Sequence, residues 1–289
     1  MRVGFAGLGR MGREMAANLA GAGYDMVLWN RSRDRAQGAA RDIGARIAAT
    51  PRELAETTEI VVTMLADDPA SAQVHFSADG LFAATGARLF VEMGTMSPDH
   101  IADLNARVPE GAVVIDAPVS GATQAARDAH LLIMAGCDAV TGADVSPLFD
   151  AMGRATVYLG RPGAGAVMKL GVNMLIHGLN QTLAEALALT QAAGIPREAA
   201  FGVIEQSAAA APMLSYRKPL YLDDMSGDVS FTVALAQKDM AVTCALARQL
   251  GVEIPQSQIT RALLDDAAAA GFADRDMAAV VAYMQEKNK

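Results

Sequence analysis

The chain has 289 residues, and 24 Lys and Arg against 32 Asp and Glu give a formal charge of −8. With 52% apolar and 19% charged residues it can bury a sizeable core, which excludes a disordered or fibrous chain and leaves one large or two ordinary domains. The acidic balance and a pI near 5.0 argue against nucleic acid or an anionic membrane as partner.

The N-terminus runs straight into a strand-like segment without the charged-then-apolar layout of a signal peptide. Residues 3–7, 26–29, 60–65, 88–93, 112–116 and 131–135 are short apolar runs suited to buried strands. Helix starts lie between them. Thr50-Pro51-Arg52-Glu53 offers a capping hydroxyl, a proline at the first helical position and a glutamate able to reach back, and Ser97-Pro98-Asp99 repeats the pattern. Strands alternating with helices at this spacing imply right-handed crossovers and a mostly parallel sheet covered on both faces.

The alternation stops after about Leu159, and the glycine- and proline-rich turn at 160–165 marks a boundary. One long helical pattern over 166–193 follows, apolar nearly all round, then further helices punctuated at Gly194-Ile195-Pro196, Ala211-Pro212, Lys218-Pro219 and 251–255. The expected fold class is an α/β domain over residues 1–161 followed by an all-helical domain over 162–289. The longest uncharged stretch, between Lys169 and Glu185, carries Asn173, His177, Asn180 and Gln181 and falls short of the roughly 20 apolar residues of a membrane span. The expectation is therefore a soluble, cytoplasmic protein. A helix apolar on all sides also predicts packing against a second copy of the chain, as a homodimer or homotetramer, with burial inside one subunit as the plainer alternative. Cys137 and Cys244 lack paired-ligand spacing, so neither a disulfide framework nor a metal site is expected.

Directly after the first strand, Gly7-Leu8-Gly9-Arg10-Met11-Gly12 has the G-x-G-x-x-G spacing of a dinucleotide-binding turn. Gly7 permits the tight turn, Gly9 lets backbone approach a pyrophosphate, and Gly12 lets helix and strand pack closely. The second strand ends in Trp29-Asn30-Arg31-Ser32-Arg33, with no carboxylate to accept from the ribose hydroxyls of NAD. Asn30, Arg31 and Ser32 suit a 2′-phosphate instead, so NADP is favoured over NAD. The plainer alternative is a pair of solvated arginines opening a surface helix.

Asp116-Ala117-Pro118-Val119-Ser120-Gly121-Ala122 resembles the substrate-binding signature of the β-hydroxyacid dehydrogenases. The likeness continues through Gly163-Ala164-Gly165 and Lys169 to Asn173, then through Phe231 to Gln237-Lys238-Asp239, and so covers essentially the whole chain. It implies a Rossmann-type N-terminal domain, an all-helical C-terminal domain, and transfer of hydride between a pyridine nucleotide and a small acid. Lys169 and Asn173, four apart, share one helix face, and a lysine on an apolar helix is expensive unless it is paired, functional or snorkelling at the helix start. The resemblance implies that Lys169 protonates the carbonyl oxygen, that Asn173 orients the substrate, and that Ser120, Gly121 and Ala122 hold its carboxylate. It also implies that Met64 and Leu65 lie along the cofactor, that Thr95 reaches the nicotinamide ribose, and that Lys238 closes over the cofactor with Asp239 as neighbour.

Several positions depart from the family pattern. Gly94 stands where serine is usual, Ala122 replaces the second glycine of the usual pair, and His130 and Cys137 occupy commonly small or polar positions. His177 continues the Lys169–Asn173 face and reads better as a core histidine than as a lining residue. The local sequences around Asn30, Met64, Lys169 and 208–216 look most like the NADP-dependent glyoxylate/succinic semialdehyde reductase branch, so the expected partner is a short carboxylated aldehyde or its hydroxy acid. The alternatives are an NAD-dependent 3-hydroxyisobutyrate dehydrogenase and, from another class, a non-catalytic dinucleotide-binding module.

Overall fold

The computed structural model describes residues 1–223 and 229–287. The chain forms two compact units, Met1–Lys169 and Leu170–Lys289.

In the first unit, six strands form one parallel sheet: β1 (Arg2–Ala6), β2 (Asp25–Trp29), β3 (Arg46–Ile47), β4 (Ile60–Thr63), β5 (Leu89–Glu92) and β6 (Val113–Asp116). Their spatial order is β3-β2-β1-β4-β5-β6. The order reverses between β1 and β4, the switch point outside which doubly wound sheets bind dinucleotides. Helices α1 (Arg10–Gly21), α2 (Arg33–Ile43), α3 (Pro51–Glu56), α4 (Asp68–Phe76) and α5 (Pro98–Arg107) connect the strands. Val3, Phe5, Val61, Val62 and Val91 are fully buried, as expected for a sheet covered on both sides.

The local sequence accounts for the helix starts. The Thr50 hydroxyl accepts from the Glu53 N–H at 3.1 Å, and the Glu53 carboxylate accepts from the Ala49 N–H at 2.6 Å. The Ser97 hydroxyl accepts from the His100 N–H at 3.1 Å. Reciprocal capping of this kind is worth about 1 kcal/mol per side-chain cap.

A second sheet joins β7 (Val119–Ser120), β8 (Leu131–Ala135) and β9 (Gly153–Tyr158), with α6 (Thr123–Arg127) and α7 (Ser146–Met152) between them. β7 runs antiparallel and β9 parallel to β8. β3, β7 and β9 have no apolar run in the sequence to announce them.

Helix α8 (Ala164–Ala192) runs 29 residues, and the two compact units part within it, after Lys169. Its first turns belong to the first unit because Ala166 packs into the cluster around Phe90 and Val114. The second unit continues with α9 (Arg197–Gln206), α10 (Pro212–Leu222), α11 (Val233–Leu250), α12 (Pro255–Ala267) and α13 (Val280–Lys287). The punctuation read at Lys218-Pro219 is not a break, since α10 continues through Pro219. Tyr221, Phe201, Met240 and Val233 centre this unit's core. Asp276 accepts from Arg217, Ser230, Phe231 and Ala278, so a buried carboxylate ties α10 and residues 230–231 to its own segment. No helix among the described residues is long and apolar enough to cross a membrane.

Candidate functional site

The glycine loop turns between β1 and α1. Gly7 has φ +99°, and a Cβ there would overlap the Met64 carbonyl; a Cβ at Gly12 would overlap the Gly7 carbonyl. At Gly9 the same direction is open space, which leaves an approach for a pyrophosphate. Leu8 lies in the core and Met11 is half-buried, while Arg10 is exposed at the first position of α1. The close approach of Gly7 to Met64 brings the β1–α1 and β4–α4 loops together, with Met64 and Leu65 half-buried beside the turn.

Asn30 makes two hydrogen bonds at the end of β2. Its Oδ1 accepts from the Leu8 N–H at 3.0 Å, and its amide donates to the Ser32 carbonyl at 3.0 Å. Asn30 thus stitches the glycine turn to the end of β2. Beside it, a cavity of about 260 Å³ is lined by Trp29, Asn30, Arg31, Arg33, Ile47 and Glu53, among others. Ser32 precedes α2 without a side-chain cap, so its hydroxyl is not committed to the helix. An open glycine turn beside a cavity carrying two exposed arginines fits a dinucleotide. Glu53, which the sequence reading used only as a helix start, lines the same cavity.

Glu92 ends β5 with 1% exposure. It accepts from the Ser71 hydroxyl at 2.8 Å and the Gly94 N–H at 3.0 Å, joining α4 to the loop that carries half-buried Thr95. Burial pushes its carboxyl up to about 7, against those two donors. A Cβ at Gly94 would crowd the Leu65 carbonyl, Met96 and Glu92 Oε1, which explains glycine where the family usually has serine. His75, also 1% exposed, sets its Nδ1 2.9 Å from the Ser71 carbonyl, and burial pushes it down to about 4.

The signature loop leaves β6 at Asp116. Ser120, in β7, is half-buried; Gly121 has φ +143°; Ala122 immediately precedes α6. The Asp116 carboxylate is buried, and its two oxygens accept from the Gly163 and Ala166 N–H groups, each at 2.9 Å. Cys137 packs nearby, its thiol pushed up to about 11 by burial and by Asp116, so it is not a thiolate at neutral pH. His130 is exposed and lies 2.7 Å from the Asp128 carbonyl through Nδ1.

Lys169, half-buried, precedes buried Asn173 and His177 by one and two turns on the same face of α8. Asn173, His177 and Asn180 of this apolar helix each have a local partner. Asn173 donates to Asp239 Oδ2 at 2.5 Å, and the Lys238 ammonium lies 2.8 Å from the other oxygen. His177 stacks on Phe231 with centroids 5.7 Å apart, which accords with the core reading. Asn180 donates to the Met277 carbonyl and accepts from Tyr221. Fully buried Asp239 therefore gathers Asn173 and Lys238, a role larger than that of a neighbour. No group of three or more His, Cys, Asp or Glu able to hold a metal occurs among the described residues.

Residues 2–160 match the family profile described as the NAD binding domain of 6-phosphogluconate dehydrogenase. Residues 163–284 match that of the NAD-binding of NADP-dependent 3-hydroxyisobutyrate dehydrogenase. The chain is 30% identical over 281 residues to the chloroplastic glyoxylate/succinic semialdehyde reductase 2 of Arabidopsis thaliana, covering 96% of this chain and 78% of that one. It is 29% identical to glyoxylate/succinic semialdehyde reductase 1 of the same plant, over 97% of each. The 3-hydroxyisobutyrate dehydrogenase of Mycobacterium tuberculosis, solved with L-serine, superposes with a TM-score of 0.84 at 27% identity, covering 99% of this chain and 100% of that one.

Proposed function

Since the chain belongs to the β-hydroxyacid dehydrogenase family and is an oxidoreductase using a nicotinamide dinucleotide, we propose that it reduces a short aldehyde bearing a carboxylate with NADPH. The substrate class is that of glyoxylate and of succinic or tartronate semialdehyde. The observation that carries this reading is the Lys169–Asn173 face of α8, with Asn173 fixed by buried Asp239.

When bound, the reduced nicotinamide supplies a hydride to the aldehyde carbon. Lys169 gives its proton to the carbonyl oxygen, and its positive charge offsets the negative charge growing there. Asn173, its amide held by Asp239, orients the carbonyl. The Ser120 hydroxyl and the Gly121 and Ala122 N–H groups take the carboxylate. Arg31, with Ser32 and Arg33 beside it, takes the 2′-phosphate through charge-assisted bonds, while Asn30 shapes the turn. Lys238 reaches the cofactor from its Asp239 pair, and Thr95 reaches the ribose.

A second reading, NAD-dependent oxidation of a hydroxy acid, draws on the likeness to the mycobacterial enzyme and on Glu53, which brings a carboxylate to the cavity of Arg31. That carboxylate already accepts from Ala49, which leaves the arginines as the stronger feature. The proposal takes the protein as a cytoplasmic homodimer or homotetramer. Buried free thiols suit a reducing compartment, and α8 leaves Leu175 and Leu189 70% and 73% exposed.

NADPH consumption with aldehydes with and without a carboxylate, for the native protein and Lys169→Ala in parallel, tests the reading. Carboxylate-dependent turnover should fall about 10²- to 10⁴-fold in the variant with NADPH affinity unchanged. Near-normal turnover in Lys169→Ala would remove the assigned proton donor.

A further inference from the structure

Asp116 is the buried group whose position the reaction does not explain. It ends β6, on the opening residue of the signature that leads to Ser120. An isolated buried carboxylate is expensive, and this one is satisfied by backbone alone. Oδ1 takes the Gly163 N–H and Oδ2 the Ala166 N–H. Both belong to the turn and first helical residues of α8, where free N–H groups and the helix dipole favour an anion.

The surroundings press this carboxylate into one place. A Cβ at Gly136 would overlap Asp116 Oδ1, and a Cβ at Gly165 would overlap the Met134 carbonyl and crowd Asp116. The Asp116 carbonyl meanwhile accepts from the Gly136 N–H at 2.7 Å. One residue thereby fastens β8, the start of α8 and the root of the substrate loop. Lys169 follows Ala166 by three residues, and Ser120 follows Asp116 by four.

We infer that Asp116 is a positioning residue that sets the register of Lys169 against the Ser120–Ala122 loop by clamping the amino end of α8. The inference rests on the proposed reaction, in which those two elements hold one substrate between proton donor and carboxylate anchor. A displacement of about 1 Å at such a pair costs on the order of 10²-fold in rate. Burial raises the Asp116 carboxyl above the ordinary carboxylate range, and the Gly163 and Ala166 N–H groups partly offset that rise.

Asp116→Asn keeps the shape but turns one acceptor into a donor facing an N–H. Native protein, Lys169→Ala and Asp116→Asn are compared in parallel with NADPH and a carboxylated aldehyde. In Asp116→Asn, kcat should fall about 30- to 100-fold with NADPH affinity unchanged, and the isotope effect on kcat with deuterated NADPH should rise as the chemical step becomes limiting. Amide hydrogens of Gly163 and Ala166 should exchange faster in the variant, a readout independent of turnover. Gly136→Ala, which keeps the charge but displaces the carboxylate, should show the same fall in kcat.

Either variant, folded and with native kcat and isotope effect, overturns the inference. Loss of the fold in both variants overturns it as well, by making Asp116 a folding residue only. Absence of turnover in the native protein strikes at the proposed reaction instead, whereas turnover in the native protein and Asp116→Asn but not in Lys169→Ala strikes at Asp116 alone.

Discussion

The chain Glu92–Ser71–His75 places two oppositely titrating groups in one buried network, and its charge logic can be tested by stability alone. Glu92 rises from an ordinary 4.5 to about 7, and His75 falls from 6.5 to about 4. Each displacement is worth roughly 3 kcal/mol at about 1.4 kcal/mol per pH unit. The signs oppose. Because the folded state holds the Glu92 proton more tightly than the unfolded chain does, this group's contribution is complete below pH about 4.5 and is lost as pH rises to about 7. For His75 the folded state holds the proton less tightly, so its contribution is complete above pH about 6.5 and is lost as pH falls to about 4. Over the shared window the two nearly cancel in the native protein. Glu92→Gln removes one arm. Its unfolding free energy minus that of the native protein, from urea titrations between pH about 4 and 8.5, should climb by roughly 3 kcal/mol up to pH about 7 and then stay level. A difference curve flat across that range would refute the assignment of a buried proton to Glu92.

Two further outcomes follow from the surface of each unit. Arg31→Asp replaces a cation of the cofactor cavity with a ribose acceptor and should move the NADPH/NADH ratio of kcat/KM toward NADH by about 10²-fold; an unchanged ratio would remove the basis for choosing NADP. Leu175→Asp places a charge on the exposed apolar face of α8 and should shift sedimentation toward monomer without lowering Tm by more than a few degrees, whereas an unchanged sedimentation profile would detach α8 from assembly.

Much of the first unit is legible in the sequence because its strands are continuous apolar runs in a doubly covered sheet. The expected runs at 60–65 and 88–93 became Ile60–Thr63 and Leu89–Glu92, with Met64, Leu65 and Met93 entering the loops that follow the strands and Arg88 the turn before β5. What escaped has identifiable causes. β3 and β7 are two residues each, below any periodic signal. β9 is an edge strand with exposed Arg154 and Ala155, so no apolar alternation announces it. Pro219 reads as a break, yet it lies inside α10 on a helix held by Tyr221 in the core. At the site, spacing places Lys169 and Asn173 on one face but leaves open what anchors them. Asp116 accepts from the Gly163 and Ala166 N–H groups at the start of α8, and Asp239 accepts from Asn173, partners that only the fold brings near.

The central place of β1 has a consequence for synthesis. Its partners are β2 on one side and β4 on the other, with Val3 opposite Ile60. At roughly 5–20 residues per second, the first strand therefore waits several seconds with one edge open, since a two-stranded pair is marginal in water. The turn at Gly7 waits with it, because the Met64 carbonyl that closes against it has not yet emerged. A nascent chain arrested before β4 would carry the full glycine motif and no dinucleotide site. The motif is a local signature whose function is completed by a strand more than fifty residues downstream.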